Sequence, residues 1–176
     1  GSYAFQYNQI SGELIIPNSV TEIENDAFRY NQISSLTIPD SVTTIGDSAF
    51  YYNQISGELI IPNSVTTIGD WAFSSNQISD LAIGEGVTTI GENSFTSMTK
   101  LNFIQYRGMK EPDTCSENAF DESISNIIVP LSYSSELFCS KTVIKMKENG
   151  DIIVSGSCGT SCQYEIDEIS ELMIIK

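Results

Sequence analysis

A chain of 176 residues, 40% of them hydrophobic, carries enough apolar material for one domain with a continuous core and is no disordered tail. Its formal charge of -15 at pH 7 sets it against phosphate backbones and anionic lipid, so neither nucleic acid nor membrane insertion is expected. Histidine is absent, which removes histidine-based nucleophile pairs, histidine metal ligands and the side chain best suited to proton transfer near neutrality.

Gly1-Ser2 reads as a cloning scar, and neither a signal-peptide pattern nor an apolar run long enough to span a bilayer follows it. Repeats begin at once. Phenylalanines recur at Phe5, Phe28, Phe50, Phe73, Phe95 and Phe120, with spacings of 23, 22, 23, 22 and 25. A fixed period in the twenties, with apolar positions kept while others drift, is the pattern of stacked solenoid coils. Four units are near-copies, and a degenerate fifth follows.

Within each unit the columns assign roles. Leu14, Leu36, Leu59 and Leu81 are followed two residues on by Ile16, Ile38, Ile61 and Ile83, the period of a strand with alternate side chains facing inward. Pro17, Pro39 and Pro62 then end the strand, with Gly84 in that place in the fourth unit. Val20, Val42, Val65 and Val87, each followed by Ile23, Ile45, Ile68 and Ile90, predict a short second strand on the opposite wall. A tight turn follows at Gly46-Asp47, Gly69-Asp70 and Gly91-Glu92. Asn25, Asp47, Asp70 and Glu92 stand where a side-chain oxygen caps a short helical turn. Ala4, Ala27, Ala49, Ala72 and Ala119 are small beside the Phe that fills the coil. Asn8, Asn31, Asn53 and Asn76 share a column, read as a ladder bonding backbone groups of adjacent coils rather than as a binding stripe. Tyr7, Tyr30 and Tyr52 form an aromatic stripe that fades to Ser75 and Ser97, read as packing along the outer edge.

Farther along, Leu101, Ile104 and Tyr106 continue the inward columns to Phe120, and Ile127 and Val129 offer one more strand. A solenoid needs a closing cap, because its last coil otherwise exposes core to water. Cys115 and Cys139 lie 24 apart, about one coil, and fit a staple across that cap. Beyond 141, apolar runs flank Asn149-Gly150, a hairpin signal; Cys158 and Cys162 follow, and residues 141–176 read as an all-β appendage. Four cysteines allow three pairings, and their spacing does not suit zinc. Disulfides in an oxidising compartment are expected, with free thiols as the alternative. The predicted organisation is a scar at 1–2, a mainly β solenoid over 3–130 with a curved parallel sheet, short second strands and helical turns, and a cysteine-containing C-terminal cap over 131–176.

The unit Leu36-x-Ile38-Pro39-x-Ser41-Val42-Thr43-x-Ile45-Gly46-x-x-Ala49-Phe50 resembles the BspA-like class of leucine-rich repeats. The resemblance covers roughly 3–139, departs from the pattern at Asn8, Asn31, Asn53 and Asn76, where such repeats often carry cysteine, and implies a surface protein. Members are associated with adhesion to host matrix proteins or other cells, so the resemblance implies a protein ligand and an extracellular or cell-surface location.

No residue set points to catalysis. Glu22/Glu24 and Asp121/Glu122 are paired carboxylates without an evident pocket and read as a solvated acidic face. No Asp-rich calcium loop or glycine-rich phosphate loop occurs, and no cofactor is expected. The expected activity is non-catalytic adhesion or protein binding, with a structural spacer lacking its own ligand as the alternative. The candidate ligand face is the outward row of the principal sheet: Glu13 and Ile15, Ser35 and Thr37, Glu58 and Ile60, Asp80 and Ala82, then Phe103 and Gln105. Tyr3-Ala4-Phe5 enters in mid-repeat, which predicts end-to-end pairing of two copies through the uncapped coil at 3–28.

Overall fold

The computed structural model describes residues 1–146 and the strand at 152–153; the strand-like runs expected up to Ile175, with Cys158 and Cys162, lie outside the described residues. In chain order the strands are β1 (Ser11–Ile15), β2 (Glu22–Ile23), β3 (Gln32–Thr37), β4 (Thr44–Ile45), β5 (Ser56–Ile61), β6 (Thr67–Ile68) and β7 (Gln77–Ile83). They continue as β8 (Thr89–Ile90), β9 (Phe103–Tyr106), β10 (Thr114–Cys115), β11 (Ile127–Pro130), β12 (Leu137–Phe138), β13 (Lys141–Met146) and β14 (Ile152–Ile153). Odd-numbered strands β1 to β11 build the principal wall, and the two-residue strands β2, β4, β6, β8 and β10 build the opposite one. Every pairing between coils is parallel, as it must be when each coil repeats the path of the one before.

Register follows the sequence columns. Leu59 pairs with Leu81, Leu81 with Ile104, and Ile104 with Ile127, so each inward side chain rests on its counterpart in the next coil. The principal wall is split between β3 and β5: β1 pairs with β3, while β5 begins a second sheet running through β7, β9, β11 and β13 to β12. Register shifts at Gly12/Glu13 and Gly57/Glu58 fall within the β1–β3 and β5–β7 pairs, one on each side of the split. In each pair the later strand carries one residue more, Ser34 or Ser79, beside Gly12 (φ 78) and Gly57 (φ 74), where glycine takes a left-handed backbone without a Cβ clash.

The core is a set of ladders. Phe5, Phe28, Phe50, Phe73, Phe95 and Phe120 stack ring on ring with centroids 5.1, 5.4, 5.3, 5.4 and 5.3 Å apart. The planes stay within 12° of parallel, because the coils repeat by simple translation. Phe138 closes the ladder, its ring 5.9 Å from Phe120 and tilted by 43°. Cys115 and Cys139 form the expected disulfide, tying β10 to the segment after β12. β13 pairs with β11 in parallel and with β14 in antiparallel fashion, Met146 opposite Ile152, so the hairpin read from Asn149-Gly150 has its two strands.

The expected helical turns are absent among the described residues. The segments before each Phe are tight turns, closed by Ala27 N–H to Glu24 O at 3.2 Å and Ala49 N–H to Gly46 O at 3.3 Å. Their third residues, Asp26, Ser48 and Trp71, have φ of 55, 54 and 59°, and a left-handed residue there stops a right-handed helix from starting. Asn25, Asp47 and Asp70 therefore do not cap their own turns. Each side-chain Oδ1 instead accepts the backbone N–H one coil on, from Asp47 at 2.8 Å, Asp70 at 2.9 Å and Glu92 at 2.7 Å.

Candidate binding surfaces

Most of the repeat is committed to joining coils. The asparagine column is the ladder expected of it. Asn53 Oδ1 accepts from Ile33 N at 3.2 Å, and its Nδ2 donates to Phe28 O at 2.9 Å and Phe50 O at 3.2 Å. Asn31 and Asn76 repeat the arrangement, whereas Asn8 is exposed and donates only to Gln6 O. Thr43, Thr66 and Thr88 donate their hydroxyls to Thr21 O, Thr43 O and Thr66 O. Side chains so engaged are satisfied within the fold and offer little to a ligand.

The outward row of the principal wall lies in register. Glu13 is opposite Ser35 and Ile15 opposite Thr37; across the second sheet Glu58, Asp80 and Phe103 line up, as do Ile60, Ala82 and Gln105. Its two ends differ in exposure. Glu13, Ser35, Thr37 and Glu58 are open to solvent, and Ile15 and Ile60 are 61% and 48% exposed. Asp80, Phe103 and Gln105 are half-buried, and Ala82, a methyl group set between the longer Ile60 and Gln105, is buried. Of the ten residues read as a face, Ala82 is thus the one withdrawn from contact. Ile60 also borders a shallow, open concavity of about 490 Å³, lined by Ile38, Pro62, Asp40, Asn63, Ser64 and the exposed Arg107.

A second exposed surface lies on the turn edge, where the sequence favoured packing over recognition. Tyr7 and Tyr30 stack at 4.7 Å, Tyr52 leans on Tyr30 at 5.1 Å, and Trp71 meets Tyr51 edge-on at 6.1 Å. Tyr7, Tyr52 and Trp71 remain 69%, 57% and 41% exposed. Arg29 sits among them, its guanidinium 4.9 Å from the Tyr30 ring centre and 5.2 Å from that of Tyr51, with Nη1 donating to Asp26 Oδ1 at 2.8 Å. Tyr7, Tyr30, Tyr52 and Trp71 all have φ between 55 and 59°. The left-handed region costs a non-glycine residue roughly 1–2 kcal/mol, most of all a bulky one. Spacing alone gave no sign of this, since the residue types favoured at positive φ are asparagine, aspartate and glycine.

Among the described residues no group of three or more Cys, Asp or Glu is placed to hold a metal ion, and no helix is long and apolar enough to cross a membrane. A family model described as a BspA type leucine rich repeat region matches residues 1–127 in six copies. No curated protein sequence matches the chain.

Proposed function

Because the chain belongs to the BspA-type leucine-rich repeat family, we propose that it is a non-catalytic, extracellular module for adhesion or protein binding at a cell surface. The family's repeats form scaffolds for protein interaction, and this chain's open principal wall is the surface that suits the role. One observation carries the reading: Ile15 and Ile60, large apolar side chains on the outward row, stand in solvent two residues after Glu13 and Glu58. Neither isoleucine contributes to the core, whose inward columns are complete without them. Apolar anchors rimmed by carboxylates suit a protein partner with a basic rim.

The test is binding of immobilised matrix proteins before and after the double substitution Ile15→Asp and Ile60→Asp. Loss of binding with an unchanged unfolding midpoint supports the row as the ligand face; undiminished binding removes it. A spacer without its own ligand is the second reading, favoured by the number of columns engaged between coils. It gains ground if no matrix or cell-surface protein binds the intact chain. End-to-end pairing through 3–28 belongs to the same proposal, since Phe5, with Phe28 as its stacking partner, is 48% exposed. Light scattering that finds a monomer at high concentration removes it.

A further inference from the structure

We propose that the turn edge bearing Tyr30, Tyr51, Tyr52 and Trp71 is a second binding surface, and that it takes arginine side chains of a basic polypeptide. Arg29 displays the mode of binding within the chain itself. Its guanidinium lies over Tyr30 and Tyr51 at 4.9 and 5.2 Å while Asp26 holds it at 2.8 Å. A planar cation on an aromatic face with a carboxylate in reach is an arrangement that guanidinium favours over the compact, strongly hydrated lysine ammonium.

The next coils repeat the ingredients without the cation. Trp71 follows Asp70, and its column neighbours are Ser48 and Asn93; Tyr52 is followed in its column by Ser75. Small side chains thus stand beside both rings, where a further aromatic would otherwise stack. Asp47, Asp70 and Glu92 form an exposed row one position before Ser48, Trp71 and Asn93. Asp70 engages the neighbouring coil through Oδ1, which leaves its other oxygen directed to solvent or a ligand.

Backbone geometry supplies an independent argument. Tyr52 and Trp71 hold φ of 57 and 59°, while the same two columns carry Asp26, Ser48, Asn93, Ser75 and Ser97, all at positive φ. The fold accepts small polar residues there, so it does not require an aromatic. Exposed rings on strained backbone are a poor bargain for packing alone, and such strain gathers at functional sites. Tyrosine, tryptophan and arginine are also the residues that dominate binding hot spots. Charge selects the partner: residues 1–99 hold eleven acidic side chains and one basic one, Arg29, which is already engaged. This edge is separate from the Ile15 and Ile60 row, so the two surfaces stand or fall independently.

Trp71 is the only tryptophan in the sequence, so its fluorescence reports on this edge directly. The experiment titrates the full chain with nona-arginine and, separately, nona-lysine at physiological salt, where long-range attraction is screened. Nona-arginine is expected to bind about tenfold more tightly and to change the Trp71 emission. Tyr52→Asn combined with Trp71→Asn, followed by peptide anisotropy, is expected to lose about tenfold in nona-arginine affinity with a thermal midpoint equal to or above that of the parent. Asp47→Asn with Asp70→Asn, which keeps the amide oxygen for the inter-coil bond, is expected to narrow the arginine preference, and Ile15→Asp with Ile60→Asp to leave it intact. Equal affinity for the two peptides, or full affinity in the Tyr52 and Trp71 variant, overturns the proposal. So does a lowered thermal midpoint in that variant, which makes the edge a packing element.

Discussion

Asn53 joins two adjacent coils with one amide: its oxygen takes the N–H of Ile33, and its nitrogen gives protons to the carbonyls of Phe28 and Phe50. Asn53 is buried, so Asn53→Ala strips the N–H of Ile33 of its acceptor away from water, while Phe28 O keeps Asn31 Nδ2 at 3.0 Å and Phe50 O keeps Asn76 Nδ2 at 3.0 Å. One unpaired buried donor costs about 1–3 kcal/mol, which is the loss expected in urea unfolding. Asn8→Ala, at the exposed end of the same column, is expected to change stability by less than about 0.5 kcal/mol. This column was legible in the sequence, because one polar residue type recurring at the coil period has a repeating backbone to bond. The aromatic edge was not legible as a strained surface. Left-handed backbone is normally announced by glycine or asparagine, and at Tyr30, Tyr52 and Trp71 the stacked coils impose it on residues that do not prefer it.

Turns and strands show the same override at the scale of the element. The capping residues were correctly singled out as hydrogen-bonding positions but assigned to the wrong partner, because a neighbouring coil at strand spacing presents a free N–H that a single-unit reading does not contain. The glycine beside them has a role of contact rather than conformation. A Cβ on Gly69 would lie 2.6 Å from the backbone nitrogen of Asp47 and collide with its Oδ1. Gly69→Ala is therefore expected to cost about 1–3 kcal/mol, seen as a lowered denaturation midpoint. At the far end, the closing element responds to pH. Burial first, then the charges of Asp113, Glu111 and Glu85, push the Tyr106 hydroxyl from 10.0 up to about 12, and burial raises Tyr133 in the same direction. Above pH 10 or so the unfolded chain releases these protons while the folded chain keeps them, so the stability they lend is whole below that point and lost on the way to about 12. Unfolding midpoints measured across this window are expected to fall, and Tyr106→Phe to flatten the fall.

The whole molecule is a stack in which each coil touches only its neighbours, so the effect of a lesion depends on its place in the series. Sequence spacing revealed the phenylalanine spine, the two walls and the disulfide between Cys115 and Cys139, since all of them follow from one period. The split between β3 and β5 escaped notice, since the alternation of 23 and 22 residues goes with register shifts within the β1–β3 and β5–β7 pairs and not with the split itself. The spine turns this into a graded prediction. Phe50 is fully buried between Phe28 and Phe73, at 5.4 and 5.3 Å, and its removal opens a cavity that both neighbours border. Phe50→Ala is expected to cost about 3–5 kcal/mol. Phe5 is half exposed and stacks on Phe28 alone among its ladder neighbours, so Phe5→Ala is expected to cost about 1 kcal/mol. Hydrogen exchange should locate the damage as well as weigh it. With Phe50 removed, amides of β3 and β5 exchange faster, while those of β9 and β11, joined to each other and held by the Cys115–Cys139 closure, keep most of their protection. A uniform loss of protection along the chain would mean that the coils unfold as one unit and that nearest-neighbour stacking does not govern the fold.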